Sequence, residues 1–186
     1  PVPCLETVAD IKHDGCSVTR VSVATHTGTH IDAAAHVMQD GKRLGDYPLA
    51  TFSGTACVVD LRGADEPIDA SVLDGIDPCD WLLLCTGQST KWGTEDYFGT
   101  EPLFTEAFVK AAARITRKGI GLDCSGLDRK GVVLHRLWFS SGGGLMVENL
   151  TDLEMLLSES RILFAAYPLK LAADDGAPVR AVALIG

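Results

Sequence analysis

Residues 26 to 36 read His26-Thr27-Gly28-Thr29-His30-Ile31-Asp32-Ala33-Ala34-Ala35-His36. Three of the five histidines of the chain fall within this stretch, together with Asp32. Imidazole nitrogen and carboxylate oxygen suit zinc, manganese or iron, and the absence of cysteine argues against a closed structural zinc site. The pattern therefore predicts a catalytic metal centre with an open coordination position.

Backbone geometry predicts that the polar groups of this stretch converge. Gly28 permits a tight turn that folds His26 back toward His30, and His30 and Asp32 share one face if their segment is extended. The alanine run that follows Asp32 favours a helix, which would place His36 on the same face as Asp32. We expect these four side chains to meet at one site.

Two ionisable residues in apolar surroundings are candidates for completing that site. His135 ends one apolar run in the C-terminal third of the chain, and Glu148 ends another. A buried carboxylate without a partner is strongly unfavourable, so Glu148 needs a cation or strong donors nearby, and pairing with Arg136 is the alternative. His13 lies in a polar segment and is interpreted as a surface histidine.

The distribution of apolar residues predicts a mixed α/β fold (α+β) with a substantial, partly barrel-like sheet. One helix is predicted from its N-cap Thr105 to a stop at Gly119, and a second from a capping box that begins at Thr151. Several strands precede the first helix, which argues against a doubly wound fold. The length fits a single domain over residues 1–186. The runs that predict strands are Val18–Ala24, Thr55–Leu61, Trp81–Cys85, Ile120–Asp123, Ile162–Leu169 and Val179–Ile185.

Charge and hydropathy argue against two classes of partner. A net charge of -9, with the 16 basic residues scattered, opposes binding to nucleic acid. No apolar run reaches the roughly 18 residues that a membrane span needs. The first residues lack the basic and apolar parts of a signal peptide, which predicts a cytoplasmic protein. The six cysteines form no C-x-x-C pair and are predicted to be buried, reduced thiols.

Residues 26–36 resemble the signature H-x-G-T-H-x-D-x-P-x-H of the cyclase family of metal-dependent hydrolases, which includes bacterial kynurenine formamidase and isatin hydrolase. Every fixed position matches except the proline, which is Ala34 here. The resemblance extends over nearly the whole chain. It continues through Thr86 to Gly93, Tyr97-Phe98, Gly121-Leu122-Asp123, His135-Arg136, Glu148-Asn149-Leu150 and Pro168-Leu169-Lys170.

The resemblance implies a fold, an assembly and a role for each candidate residue. The fold is the swivelling β/β/α domain of the family, and the assembly is a homo-oligomer, usually a dimer. The implied roles are metal ligand for His26, His30 and Asp32, proton transfer for His36, and ligand of a second metal position for His135 and Glu148.

The activity expected from these residues is hydrolysis of an amide bond by metal-activated water, with one or two divalent ions per chain, zinc first and manganese second. The best-known family substrate is the small formamide N-formylkynurenine, and a cyclic amide or lactone is the enzymatic alternative. Trp92, Tyr97 and Phe98 could stack on an aromatic substrate or pack in the core. The missing motif proline also leaves open a non-catalytic metal-binding module.

Overall fold

Most strands of the chain close into one barrel. The computed structural model describes residues 2–172 and 175–186. Among these residues the α-helices are α1 (Ile11–Asp14), α2 (Glu106–Ile115) and α3 (Val133–Ser140). The strands are β1 (Cys4–Ala9), β2 (Val18–Ser22), β3 (His30–Asp32), β4 (Ser53–Asp60), β5 (Cys79–Cys85), β6 (Thr116–Leu122), β7 (Leu145–Glu148), β8 (Ile162–Pro168) and β9 (Gly176–Ile185).

The barrel has the strand order β3-β7-β6-β5-β4-β8-β9, and β9 pairs with β3 to close it. Strands β4 to β7 pair in parallel, in the spatial order β4-β5-β6-β7. Strands β3, β8 and β9 pair antiparallel with their neighbours. Outside the barrel, β1 and β2 form an antiparallel hairpin. The predicted mixed α/β fold with a barrel-like sheet is confirmed.

Strand β5 separates two hydrophobic cores. Trp81 and Leu83 lie in the core inside the barrel, whereas Leu82 and Leu84 lie in an outer core beneath α2 and α3. Successive side chains of a strand point to opposite faces, and a strand buried on both faces has a continuous apolar sequence. For this reason the predicted Trp81–Cys85 is matched closely by the observed strand.

All six predicted strands occur, with ends displaced by at most four residues. The predicted run Val18–Ala24 corresponds to β2, which pairs only with β1 and lies outside the barrel, where all five residues of the strand are exposed. Strands β1, β3 and β7 had no strand prediction of their own. Strands β3 and β7 have only three and four residues, too few for a periodic pattern to be visible.

Helix α2 begins where predicted but ends earlier. The Thr105 hydroxyl accepts a hydrogen bond from the Phe108 N–H at 3.0 Å, as an N-cap should. The helix ends at Ile115, and β6 starts at the next residue, so the predicted stop at Gly119 is wrong. Gly119 lies within β6 against the Trp81 ring, where an added Cβ would come within 2.6 Å of a ring carbon. Close packing, rather than helix termination, explains this glycine.

Substituting Gly119 with alanine is therefore expected to destabilise the protein. The new Cβ would also lie 2.5 Å from the Leu145 carbonyl oxygen. Overpacking a filled core costs about 1–3 kcal/mol, which urea unfolding should detect as a lower midpoint with an unchanged slope. Gly45→Ala is the control, because nothing lies within 4 Å of the Cβ position there. Equal stability of the two variants would contradict the packing explanation.

Two further helix predictions are corrected. After Asp32 the alanine run forms only a single 3-10 turn, Ala34–His36, which ends at Val37. The capping box at Thr151 is absent, because the Thr151 hydroxyl donates to the Asp152 side chain and a 3-10 turn, Leu153–Leu156, follows instead. Asp152, with φ of 60°, precedes that turn in the left-handed region, which is incompatible with the extended backbone of a normal N-cap.

All six cysteines are free. Cys79, Cys85 and Cys124 are buried, as predicted, whereas Cys4 and Cys16 are exposed, so burial was predicted correctly for only part of the set. Within residues 2–172 and 175–186, no helix has the length and apolar character needed to cross a membrane.

Candidate metal centre

Five segments of the chain bring together the six site residues predicted from the sequence. Strand β3 carries His30 and Asp32, and its neighbour β7 carries Glu148 directly opposite His30. Opposite residues on paired strands have Cβ atoms about 5 Å apart on the same face. The remaining side chains reach the same pocket from the loop before β3 (His26), the 3-10 turn after it (His36) and helix α3 (His135).

Asp32 lies at the centre of the first group of potential metal donors. Its Oδ1 atom is 2.8 Å from His26 Nδ1 and 3.3 Å from His30 Nε2. The donor atoms of these three residues all lie within 4.8 Å of one another. This spacing is compatible with one shared cation.

A second group of donors shares the same aspartate. It consists of Asp32, His135 and Glu148, whose donor atoms also lie within 4.8 Å of one another. Glu148 connects the two groups, because its Oε1 is 2.9 Å from His135 Nε2 and its Oε2 is 3.5 Å from His30 Nε2. Asp32 is thus placed to contribute to two adjacent positions.

His36 belongs to neither of these groups. Its ring lies against the His26 ring, with centroids 3.9 Å apart, and 6.3 Å from the His135 ring. Together with His26 and Asp175 it forms a third, less buried set of donors. His36 therefore lines the pocket beside His26, a donor of the first group.

Each imidazole of the two main groups has an acceptor at its outer nitrogen. His30 Nδ1 is 2.8 Å from the Gly28 carbonyl oxygen, and His26 Nε2 is 3.0 Å from an Asp175 oxygen. His135 Nδ1 is 2.6 Å from Asp128 Oδ2. Such outer acceptors fix the ring orientation and tautomer of histidines that bind metals.

Sequence reasoning missed Asp128 and Asp175. Asp128 carried a usable signal, since an acidic residue shortly before a helix is a candidate for its N-terminal cap. However, α3 itself was not predicted. Asp175 has no local signal, because only the pairing of β9 with β3, which places Gly176 opposite Asp32, brings it to the site.

Burial and charge oppose each other at Asp32. Burial disfavours its ionised form, but the neighbouring imidazoles of His26 and His30 outweigh this and hold the pKa of Asp32 below its ordinary value. Burial also opposes protonation of both imidazoles, yet Asp32 raises the pKa of each. The carboxylate thus makes this part of the pocket favourable for positive charge.

The other two histidines differ in their electrostatic surroundings. Burial opposes protonation of His135, but the carboxylates of Asp128 and Glu148 outweigh it and raise the pKa of His135 to about 10. Burial is the largest influence on His36 as well, and there it prevails, so the pKa of His36 is lowered. His36 consequently favours the neutral form.

The donor set fits a divalent cation. Asp32 Oδ1 is buried and, although it lies 2.8 Å from His26 Nδ1, no described residue gives it a hydrogen bond of regular geometry. A buried carboxylate oxygen without such a bond is costly. Two glycines keep the space around the donors clear. An added Cβ would lie 2.6 Å from a His135 ring carbon at Gly126 and 2.8 Å from a His26 ring carbon at Gly176. Imidazoles and carboxylates are suitable ligands for zinc, manganese or iron.

The donors open into a pocket of about 270 Å³. Trp92 and Phe98 line it and are more than half exposed. Tyr97 is 2% exposed and packs edge-on against both of their rings, while its hydroxyl donates to Asn149 Oδ1 at 2.6 Å. Of the three aromatic residues considered from the sequence, Trp92 and Phe98 can contact a ligand, and Tyr97 supports them.

Comparison with known proteins gives consistent matches. Residues 2–129 match the Cyclase family profile, a range that contains residues 26–36 but ends before His135 and Glu148. Kynurenine formamidase of Salinibacter ruber is 30% identical over 167 residues, which cover 86% of this chain and 76% of that protein. Kynurenine formamidase of Bacillus cereus is 28% identical over 176 residues, 89% of this chain and 79% of that one.

Two solved structures share the fold. A protein of Bacillus stearothermophilus described as a "predicted metal-dependent hydrolase" has a TM-score of 0.74 and 28% identity to this chain. The superposition covers 96% of this chain and 85% of that one. Isatin hydrolase A of Labrenzia aggregata has a TM-score of 0.83 and 24% identity, over 98% of this chain and 83% of its own. At that identity the second comparison concerns the fold alone.

Proposed function

This chain belongs to the Cyclase family, and on that premise we propose that it is a metal-dependent hydrolase that cleaves a carbon–nitrogen bond of an amide. The observation that carries the proposal is the pair of donor groups that share Asp32 at a pocket open to a small molecule. The relatives named kynurenine formamidase support a formamide substrate, with N-formylkynurenine as the first candidate.

The residues that would hold the metal follow from the two donor groups. His26, His30 and Asp32 form one position, and Asp32 with His135 and Glu148 forms the second. A divalent ion bound there supplies Lewis acidity, which activates water and stabilises developing negative charge on a carbonyl oxygen. Zinc is the first candidate and manganese the second, and an assembly of two or more copies remains a prediction.

His36 would transfer the proton. Because burial keeps its ring neutral, an imidazole nitrogen of His36 can accept a proton from the attacking water and pass it to the departing nitrogen. An amide nitrogen leaves poorly unless it is protonated. His36 contacts the His26 ring and lines the pocket, so it can reach substrate without occupying either donor group.

The aromatic rim supports a substrate that contains a ring. Trp92 and Phe98 expose more than half of their surface beside the donors, and such faces favour stacking on a flat aromatic group. Tyr97 packs edge-on against the rings of Trp92 and Phe98, and its hydroxyl is hydrogen-bonded to Asn149, the residue that follows Glu148. An aryl formamide would place its ring on this rim and its formyl group at the donors.

The test of this function is metal content followed by hydrolysis. Purified wild-type protein is incubated with zinc or manganese, desalted and measured by elemental analysis. We expect one or two ions per chain and hydrolysis of N-formylkynurenine. In His30→Ala the metal and the activity should both be lost, because His30 is a donor in the first group and lies beside Glu148 of the second.

The matched control is His13→Ala, which removes an exposed histidine that pairs with Asp10 and does not line the pocket. It should keep both metal and activity. A wild-type protein that stays free of metal after incubation would overturn the proposal and leave a non-catalytic module as the better account. Isatin, a cyclic amide, is assayed in parallel, and preference for it would revise the substrate but not the reaction class.

A further inference from the structure

Asp128 connects the start of helix α3 to the ring of His135. Its Oδ1 atom accepts the Leu134 N–H at 2.9 Å, and its Oδ2 atom accepts the His135 N–H at 2.9 Å. The same Oδ2 atom lies 2.6 Å from His135 Nδ1. The Asp128 side chain is only 5% exposed, so these three contacts satisfy a largely buried carboxylate.

Helix α3 depends on this carboxylate because the side chain of its own N-cap residue cannot accept a hydrogen bond. Val132 occupies the N-cap position and makes no side-chain hydrogen bond. The first N–H groups of a helix need acceptors from outside the helix, and Asp128 supplies them from four residues before Val132. One side chain therefore sets both the beginning of the helix and the direction of the ring that the helix carries.

The hydrogen bond at Nδ1 also determines what the other ring nitrogen can do. A carboxylate can only accept, so Nδ1 keeps its proton when the His135 ring is neutral, and Nε2 is then the nitrogen that can bind a cation. Nε2 faces Glu148 Oε1, 2.9 Å away. His30 is held differently, because its outer acceptor is the backbone carbonyl of Gly28. The orientation of His135 thus depends on a side chain that mutation can remove.

We propose that Asp128 is a positioning residue that holds His135 in the tautomer and direction required by the metal position formed with Asp32 and Glu148. This inference rests on the proposed function, since it takes that donor group to be a metal position. Asp128 is not a donor of the first group and should not affect it. Loss of an outer acceptor typically weakens metal affinity 10- to 100-fold.

The experiment is a zinc titration of wild type and Asp128→Ala against a competing chelator. Wild type is expected to bind two zinc ions. In Asp128→Ala the affinity for the zinc at the second donor group should fall about 10- to 100-fold. The affinity for the zinc at the first group should remain within about twofold of the wild-type value. Thr105→Ala is the matched control, because it removes the N-cap of α2 and lowers the Tm without touching any metal donor.

A spectroscopic measurement separates positioning from helix capping. In the proton NMR spectrum of zinc-loaded, 15N-labelled wild type, the His135 Nδ1 proton should give a downfield resonance typical of a strong hydrogen bond. This resonance should vanish in Asp128→Ala. Asp128→Asn retains one carbonyl acceptor. Its Nδ1 proton resonance and its affinity for the second zinc should therefore lie between those of Asp128→Ala and wild type. If Asp128→Ala does not fold, an Asn variant with unchanged signal and affinity overturns the proposal.

Four further outcomes would contradict the inference about Asp128. Wild-type zinc affinities in Asp128→Ala would overturn the inference, as would an equal loss of zinc affinity in Thr105→Ala. A wild-type protein that binds one zinc and hydrolyses formamides would overturn the inference and leave the proposed function intact. A wild-type protein that binds no zinc and no manganese would overturn both.

Discussion

Replacing His36 with glutamine is expected to lower kcat for formamide hydrolysis by about 10²- to 10⁴-fold, the range typical for loss of a general acid–base group, while zinc content stays at the wild-type value. Both expectations follow from the position of the His36 ring. His36 lines the pocket and packs against His26, but it is absent from both donor groups that contain Asp32. Steady-state kinetics and elemental analysis on the same preparation test both halves of the prediction.

The control for His36→Gln is His13→Gln, which changes an exposed histidine outside the pocket and should leave kcat unchanged. Two results would contradict the assigned role. Full turnover in His36→Gln would show that His36 does not transfer the proton. Loss of zinc would instead assign His36 to coordination, through the set it forms with His26 and Asp175.

The part of the site that could be predicted from sequence is the part in which spacing along the chain equals spacing in the structure. His30 and Asp32 are two residues apart on β3, so an extended backbone alone places both on one face. His26 joins them through the turn that Gly28, with φ of 64°, permits. No tertiary information was needed for these three residues.

The helical interpretation of the alanine run failed because tertiary contacts override a weak propensity. Gly41 packs so closely on Ala34 and Ala35 that an added Cβ would lie 2.5 Å from the Ala35 nitrogen. In addition, the Ala35 N–H donates to the Lys42 carbonyl oxygen at 3.1 Å, a bond that holds the following segment against this turn. The chain therefore leaves the helical path after one turn, yet His36 still reaches the pocket.

The residues that sequence could not supply are those brought in by closure of the barrel. Asp175 approaches His26 only because β9 returns to β3, and no spacing rule relates positions about 150 residues apart. The pairing of Glu148 with His30 likewise depends on the register between β3 and β7. Resemblance to a known family, not periodicity, placed Glu148 among the ligands.

The second large effect is expected at Gly126, in the loop between β6 and α3. This glycine has φ of 98°, and an added Cβ would lie 2.6 Å from His135 Cε1 and closer still to Glu148 Oε1. Both side chains belong to the second donor group, so Gly126→Ala must displace at least one of them. A shift of about 1 Å in a catalytic group can cost about 10²-fold in rate, and we expect kcat/KM to fall by that factor together with loss of one zinc per chain.

Gly131→Ala separates this steric effect from backbone strain. Gly131 lies in the same loop with φ of 80°, but nothing lies within 4 Å of its Cβ position. A non-glycine residue with positive φ costs about 1–3 kcal/mol, so both variants should unfold at lower urea concentration. Only Gly126→Ala should lose zinc and activity, because only there does the new methyl group meet metal donors. Equal loss of zinc in the two variants would attribute the effect to strain in the loop, and retention of zinc in both would mean that the donors can move aside without leaving the metal position.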